Sequence, residues 1–330
     1  MLQMKKKKII IGIHGAGNKP AQRLLQLWWR KAICEGLERI GQPRRNFKFE
    51  LVYWAQFLYS EPQDPEADDP ESPLYIKEPY VPAASNSVPQ SPSRVRKKFL
   101  DWLEIMMDKL LLSEHRFFNF DRISDYVLRK RFRDLELYFH KANVELDQAG
   151  LYAKKLIRKE LAKKLKKYRK RDILLVSHSM GTVISYDVLT QLAFDSHIHT
   201  FITLGSPLGL PAVIKKIFVE QHKDLKNEKL LVTPENILHS WFNFSDLNDR
   251  IALDYKLCND FIQNSQEIGP KDTIVQNDYE NHGKKDHHKS YGYLRTPEVA
   301  EVIDGFLTGG RLSSFELLQE LLGRFQNKAA

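Results

Sequence analysis

The five residues Ser177-His178-Ser179-Met180-Gly181 constrain this chain more than any others. They close an apolar run, Ile173-Leu174-Leu175-Val176, and open a stretch of helical pattern, Thr182-Val183-Ile184-Ser185-Tyr186-Asp187-Val188-Leu189. A short apolar run ending at a turn reads as a strand buried on both faces. A strand that reverses into a helix through a Ser flanked by small residues is a strained turn of the nucleophile-elbow kind. It lifts the central hydroxyl clear of the backbone and sets it beside the positive end of the following helix. Gly usually opens the pattern. Ser177 stands there instead and is small enough to fit.

Strands and helices alternate on both sides of this turn. The pattern predicts strands over 8–14, 47–54, 200–204, 240–244 and 273–277, and helices over 21–40, 211–219 and 297–307. This order implies a mostly parallel sheet with helices on both faces, in which active residues lie at the carboxyl ends of the strands. His14, Ser179, Gly205, Asp246, Asp249 and His288 all fall just past a predicted strand end. At 330 residues, 42% of them hydrophobic, the chain can build one large α/β domain.

Between the second strand and the helix before Ser179 lies an insertion, residues 61–149. Its first part, 61–93, holds eight of the fifteen prolines and reads as an extended irregular loop. Residues 96–112 then place Phe99, Trp102, Leu103, Met106, Met107, Leu110 and Leu111 on one helical face. That face reads either as ordinary core packing or as a lid lining an apolar pocket. A second helical stretch runs from 121 to about 139.

The net charge is +9, and residues 154–171 carry eleven Lys and Arg. Ala153, Ile157, Leu161, Leu165 and Tyr168 fall at helical spacing among them. This stretch reads as a solvated amphipathic helix, or more sharply as a patch for peripheral contact with anionic lipid. No nucleic-acid module is recognisable, so a nucleic-acid partner is not expected. The two cysteines, Cys34 and Cys258, build neither a disulfide framework nor a metal knuckle and fit a cytoplasmic setting. The N-terminal lysines lead straight into the first strand without a cleavage site, and no run reaches the roughly 18 apolar residues of a spanning helix.

The order of these landmarks resembles the α/β-hydrolase superfamily, and within it esterase- and lipase-like serine hydrolases. Ile11-Gly12-Ile13-His14-Gly15-Ala16-Gly17-Asn18 is similar to a first core strand with its His-Gly oxyanion loop, and Ser179 sits in the elbow. Phe201-Ile202-Thr203-Leu204-Gly205-Ser206-Pro207 is similar to the next strand and its exit. Residues 243–252 and 287–291 resemble the acid and histidine loops. The resemblance covers 9–60 and 150–308 and leaves out 61–149.

It implies an α/β-hydrolase fold over 1–330 with 61–149 as a cap-like insertion, and a Ser–His–Asp triad acting through an acyl-enzyme. Ser179 is the candidate nucleophile, and a lone Ser needs a His to act near neutral pH. Among eleven histidines, His288 stands in the expected loop, with His287 and His282 as neighbouring alternatives. For the acid, Asp249-Arg250-Ile251-Ala252 resembles an Asp that precedes a helix, and Asp246 competes with it. The oxyanion donors implied are the N–H groups of Met180 and Ala16, with His14, Gly15 and His178 lining the site. A small-molecule ester, lipid or otherwise, is the implied partner, and neither metal nor organic cofactor is implied. A catalytically inactive scaffold of the same fold, or a triad acting on thioesters or amides, are the alternatives.

Overall fold

A computed structural model describes residues 6–83, 96–98, 100–101, 133–139, 148–221 and 230–309, with the backbone alone at 148–151. The lid-like face of Phe99, Trp102, Leu103, Met106, Met107, Leu110 and Leu111 lies outside the described residues, as does 121–132.

Six parallel strands form the central sheet: β1 (Lys8–Ile13), β2 (Phe49–Val52), β3 (Asp172–His178), β4 (Ile198–Leu204), β6 (Ile237–Ser245) and β8 (Pro270–Ile274). Two short strands, β5 (Leu231–Val232) and β7 (Phe261–Ile262), pair apart from it. The order across the sheet is β2-β1-β3-β4-β6-β8. Side chains alternate between faces, so each apolar run feeds two cores. Ile9, Ile11, Ile173, Leu175, Phe201 and Trp241 enter one core, and Ile10, Leu174, Val176, Ile202, Phe242 and Phe244 enter the other.

Helices cover both faces. Helix α1 (Gln22–Arg39) packs with α6 (Ser290–Leu294) and α7 (Pro297–Thr308) over the second core. Helices α2 (Arg133–Phe139), α3 (Gln148–Tyr168), α4 (Met180–Gln191) and α5 (Pro211–Glu220) cover the first. The predicted apolar stripe of α3 is buried at Ala153, Ile157, Leu161, Leu165 and Tyr168. From its basic flank, Arg158 reaches Asp187 and Lys164 reaches Glu50, while Lys155, Lys159, Lys163 and Lys166 are exposed. Among the described residues no helix is long and apolar enough to cross a membrane.

Three predicted boundaries shift for local reasons. Strand β2 stops at Val52 because the Trp54 N–H and indole N–H turn away to His14 Nε2 (3.1 Å) and the His14 carbonyl (2.9 Å). The last core strand is Pro270–Ile274 rather than 273–277, because the Asn277 N–H leaves the ladder for Asp246 Oδ2 at 2.7 Å. No helix follows Asp249. Its Oδ1 accepts the Ile251 N–H (2.8 Å), and Asp272 accepts the N–H groups of Leu257 and Cys258, which draws the segment back along the sheet as turns.

Gly36 marks where α1 crosses closest to the C-terminal helices. A Cβ there would lie 3.0 Å from Arg295 Cα and the Leu294 carbonyl oxygen. Backbone atoms cannot yield as a side-chain tip can. Gly36→Val should therefore lower stability by about 1–3 kcal/mol, since overpacking outweighs the gain in helix propensity of under 1 kcal/mol. A lower urea midpoint at unchanged m-value would show it.

Candidate functional site

The carboxyl ends of β1, β3, β4, β6 and β8 bring the predicted residues onto one edge of the sheet. Ser179 follows β3 with φ 53° and ψ −129°, and its N–H donates to the Leu204 carbonyl at 3.0 Å. Left-handed φ is costly for a residue with a Cβ, of order 1–3 kcal/mol. The neighbours leave room for nothing larger. A Cβ at Gly15 would lie 2.7 Å from Ser179 Cβ, and one at Gly181 would lie 2.8 Å from the Ile13 and His14 carbonyl oxygens. Ser177 fits because its buried hydroxyl bonds Ser185 Oγ at 2.7 Å.

Ser179 Oγ lies 2.9 Å from His288 Nε2, and His288 Nδ1 lies 2.8 Å from Asp249 Oδ2. Asp249 is fully buried. Its Oδ2 also accepts the Tyr293 hydroxyl at 2.8 Å. A carboxylate only accepts, so His288 Nδ1 is the donor and Nε2 faces Ser179 as an acceptor. Gly205, at φ 53°, clears the space behind this pair: a Cβ there would stand 2.7 Å from Asp249 Oδ2 and 3.2 Å from His288 Nδ1.

The competing residues form a second pair. Asp246 Oδ2 meets His287 Nδ1 at 3.1 Å, and its oxygens accept the N–H groups of Asn248 and Asn277, both at 2.7 Å. Asp246 thus ties the acid loop to the histidine loop. His282 lies in an exposed hairpin turn.

The remaining histidines brace the site. His178 Nε2 donates to the His288 carbonyl at 2.7 Å, and the two rings lie 4.8 Å apart. Burial first, then the His288 charge, holds the His178 pKa well below its ordinary value. His14 donates from Nδ1 to the Gly15 carbonyl (2.8 Å), accepts the Trp54 N–H at Nε2, and stacks on the Trp54 ring at 4.7 Å. Burial, reinforced by the Lys19 charge, lowers its pKa to about 3. Both rings stay neutral over the physiological range and serve as fixed braces.

The His14–Gly15–Ala16–Gly17 loop is held on every side. In a trans peptide C=O and N–H point opposite ways, so the bond from His14 to the Gly15 carbonyl turns the Ala16 N–H the other way. The Gly17 N–H is taken by Asp134 Oδ2 at 2.7 Å. Lys19 Nζ donates to the Ala16 carbonyl and, at 3.0 Å, to the Gly17 carbonyl. Burial and then the Lys289 charge bring the Lys19 pKa down to about 7. Met180 opens α4, so its N–H has no intrahelical acceptor. The sequence reading missed Asp134, Lys19 and Tyr293. The first comes from the insertion, where no motif marks it, and Asp134 also accepts the Tyr59 hydroxyl at 2.8 Å.

A cavity of about 330 Å³ opens over Ser179. Leu25, Trp29, Ile251 and Tyr291 give it apolar wall, with Lys19 and Lys289 at its polar side. Among the described residues no group of His, Cys, Asp or Glu has the arrangement of a metal site.

The parallel sheet and the elbow at the end of β3 make this an α/β-hydrolase fold. A family model described as "PGAP1-like alpha/beta domain" matches residues 133–299, half of the chain, and the chain belongs to that family of α/β-hydrolase-like serine esterases. No curated protein matches the sequence.

The neutral braces set a pH dependence. His14 has a folded pKa near 3 against 6.5 unfolded, so between these values the unfolded chain holds the extra proton. Stability therefore falls as pH drops from 6.5 toward 3. His14→Gln should show a shallower decline between pH 7 and 4.5 in urea unfolding. An equally steep decline would assign the acid sensitivity elsewhere.

Proposed function

We propose that this chain hydrolyses carboxylic esters through an acyl-enzyme formed on Ser179. The hydrogen-bonded line Ser179–His288–Asp249, with Ser179 held at left-handed φ, is the observation that carries this reading. Ser179 Oγ attacks the ester carbonyl carbon as His288 Nε2 takes its proton, and Asp249 holds the resulting imidazolium. The carbonyl oxygen becomes an oxyanion received by the N–H groups of Met180 and Ala16. His288 returns the proton to the departing alcohol oxygen, leaving the acyl group on Ser179. Water then attacks that ester as His288 takes its proton, and His288 returns the proton to Ser179 Oγ as the acyl–oxygen bond breaks and the carboxylic acid leaves. Tyr293 keeps Asp249 in place, and His178 does the same for His288 through its carbonyl.

The walls at Leu25, Trp29, Ile251 and Tyr291 suit an apolar acyl group. Such a pocket favours lipid-like or other apolar acyl esters over small polar ones.

Ser179→Ala should abolish labelling by a fluorophosphonate probe and lower ester hydrolysis on the order of 10⁴-fold, with little change in stability. Near-normal hydrolysis by that variant would remove Ser179 from the role.

The two acids separate by the same assay. Asp249→Asn should lower kcat on the order of 10³-fold or more at matched folded fraction, because the amide favours the wrong His288 tautomer. Asp246→Asn should mainly cost stability, about 1–3 kcal/mol, through its lost loop bonds. The reverse ranking would pass the role to Asp246.

A further inference from the structure

A second cavity, of about 550 Å³, opens beside the one over Ser179. Glu78, Asp286 and His288 line both, so one cleft runs from the Ser179 hydroxyl past the His288 ring into this second space. Its wall is cationic, carrying Lys77, Arg96, Arg250, Lys284 and Lys285.

Two acids face the same space, and both are engaged. Glu78 pairs with Lys289 Nζ at 2.6 Å, and Asp286 accepts the His288 N–H at 2.9 Å. Burial, then the Glu78 charge, raises the Asp286 pKa, so its carboxyl carries negative charge less readily. Among the described residues, Lys77, Arg250, Lys284 and Lys285 form no ion pair with an acid.

The cations are also held in place. Glu280–Asn281 pairs antiparallel with Lys284–Lys285 across a two-residue turn. His282 and Gly283 occupy that turn with φ 48° and 74°, the signs of a type I′ hairpin. The chain then continues directly as Asp286-His287-His288, so the hairpin that presents the lysines also carries the candidate base. Several cations on one wall repel one another, and a bound anion relieves that repulsion.

The chemistry of the ester sets which part of a substrate would lie here. His288 gives its proton to the departing alcohol oxygen, so that oxygen must sit against Nε2, with the rest of the alcohol on the His288 side. The cationic cavity begins there, while the apolar walls lie around Ser179. A phosphate, with several oxygens and up to two charges, can engage several of these donors at once, more than a carboxylate can.

We propose that this cavity is a subsite for a phosphate group on the alcohol side of the ester. The assignment deepens the hydrolase reading above and rests on it. The phosphate belongs either to a small soluble alcohol or to a lipid headgroup, and the test distinguishes the two.

The rate test compares 1-butyrylglycerol 3-phosphate with 1-butyrylglycerol. The phosphorylated ester should have a kcat/KM higher by at least about ten-fold at low salt. In Lys284→Glu/Lys285→Glu this ratio should fall to about one or below. Arg169→Glu/Lys170→Glu, the same charge change at the far end of the sheet, should leave the ratio as it was. A binding test with the Ser179→Ala protein needs no turnover. Calorimetric binding of glycerol 3-phosphate, lost in Lys284→Glu/Lys285→Glu, supports the subsite and a soluble ligand. Co-sedimentation with phosphatidylglycerol but not phosphatidylcholine vesicles, lost in the same variant, supports it with a lipid ligand. Equal kcat/KM for the two esters, or binding unaffected by the double substitution, would overturn it. If neither ester is cleaved while Ser179→Ala still binds glycerol 3-phosphate, the hydrolase reading fails and the anion site stands alone.

Discussion

The left-handed φ of Ser179 is the constraint around which the rest of the carboxyl edge is arranged. It costs of order 1–3 kcal/mol and persists only where the surroundings permit no alternative. Three sets of contacts supply that. The Ser179 N–H is locked to β4 at Leu204. Gly15 and Gly181 let β1 and α4 close to within a missing Cβ. Ser177, under the turn, is satisfied by Ser185. Relaxing the turn would break the β4 bond and drive Ser179 toward the Gly15 loop, so local strain is traded for contacts among three elements.

Burial and hydrogen bonding then set the histidines of this edge apart. Four histidines lie within this edge: His14, His178, His287 and His288. His14 and His178 are too deeply buried to accept a proton readily; His14 engages both ring nitrogens with backbone groups, and His178 engages Nε2 with the His288 carbonyl. His287 is turned to Asp246, which is occupied with two backbone N–H groups. His288 alone joins a buried carboxylate to the Ser179 hydroxyl. The Asp246–His287 and Asp249–His288 pairs run side by side, and Tyr293 couples them. Its hydroxyl donates to Asp249 and accepts the Asp246 N–H at 2.9 Å.

Much of this arrangement was legible in the sequence because it depends on local periodicity. The parallel sheet follows from short apolar runs alternating with helical patterns, and the buried stripe of α3 follows from spacing alone. Asp249 and Asp246 could not be separated on the same basis, since both follow one strand and differ only in which histidine they meet across some 40 residues of chain. The helix expected after Asp249 failed for a related reason. Ile251 and Ala252 look like a helix start, but Asp272 takes the N–H groups of Leu257 and Cys258, which a continuing helix would bond to its own carbonyls. Asp134 was invisible because its part, holding the Gly17 N–H, depends on a fold-level approach of the insertion to the first loop. A carboxylate in a surface-like helix carries no local mark of that.

Glu78 and Asp134, within the stretch that the sequence reads as an insertion, therefore make polar contacts at this edge. Asp134 on α2 holds the Gly17 N–H of the loop after β1, and Glu78, in the proline-rich stretch, reaches Lys289 beside His288. The family match begins at 133, so it includes Asp134 but omits β1, whose loop that residue steadies. Strand β1 nonetheless lies next to β3, paired through Ile13 and Ser177, and only from that position can a loop after β1 face Ser179. Residues 8–17 therefore pack as one unit with the matched segment, through the β1–β3 ladder and the bond from the Gly17 N–H to Asp134.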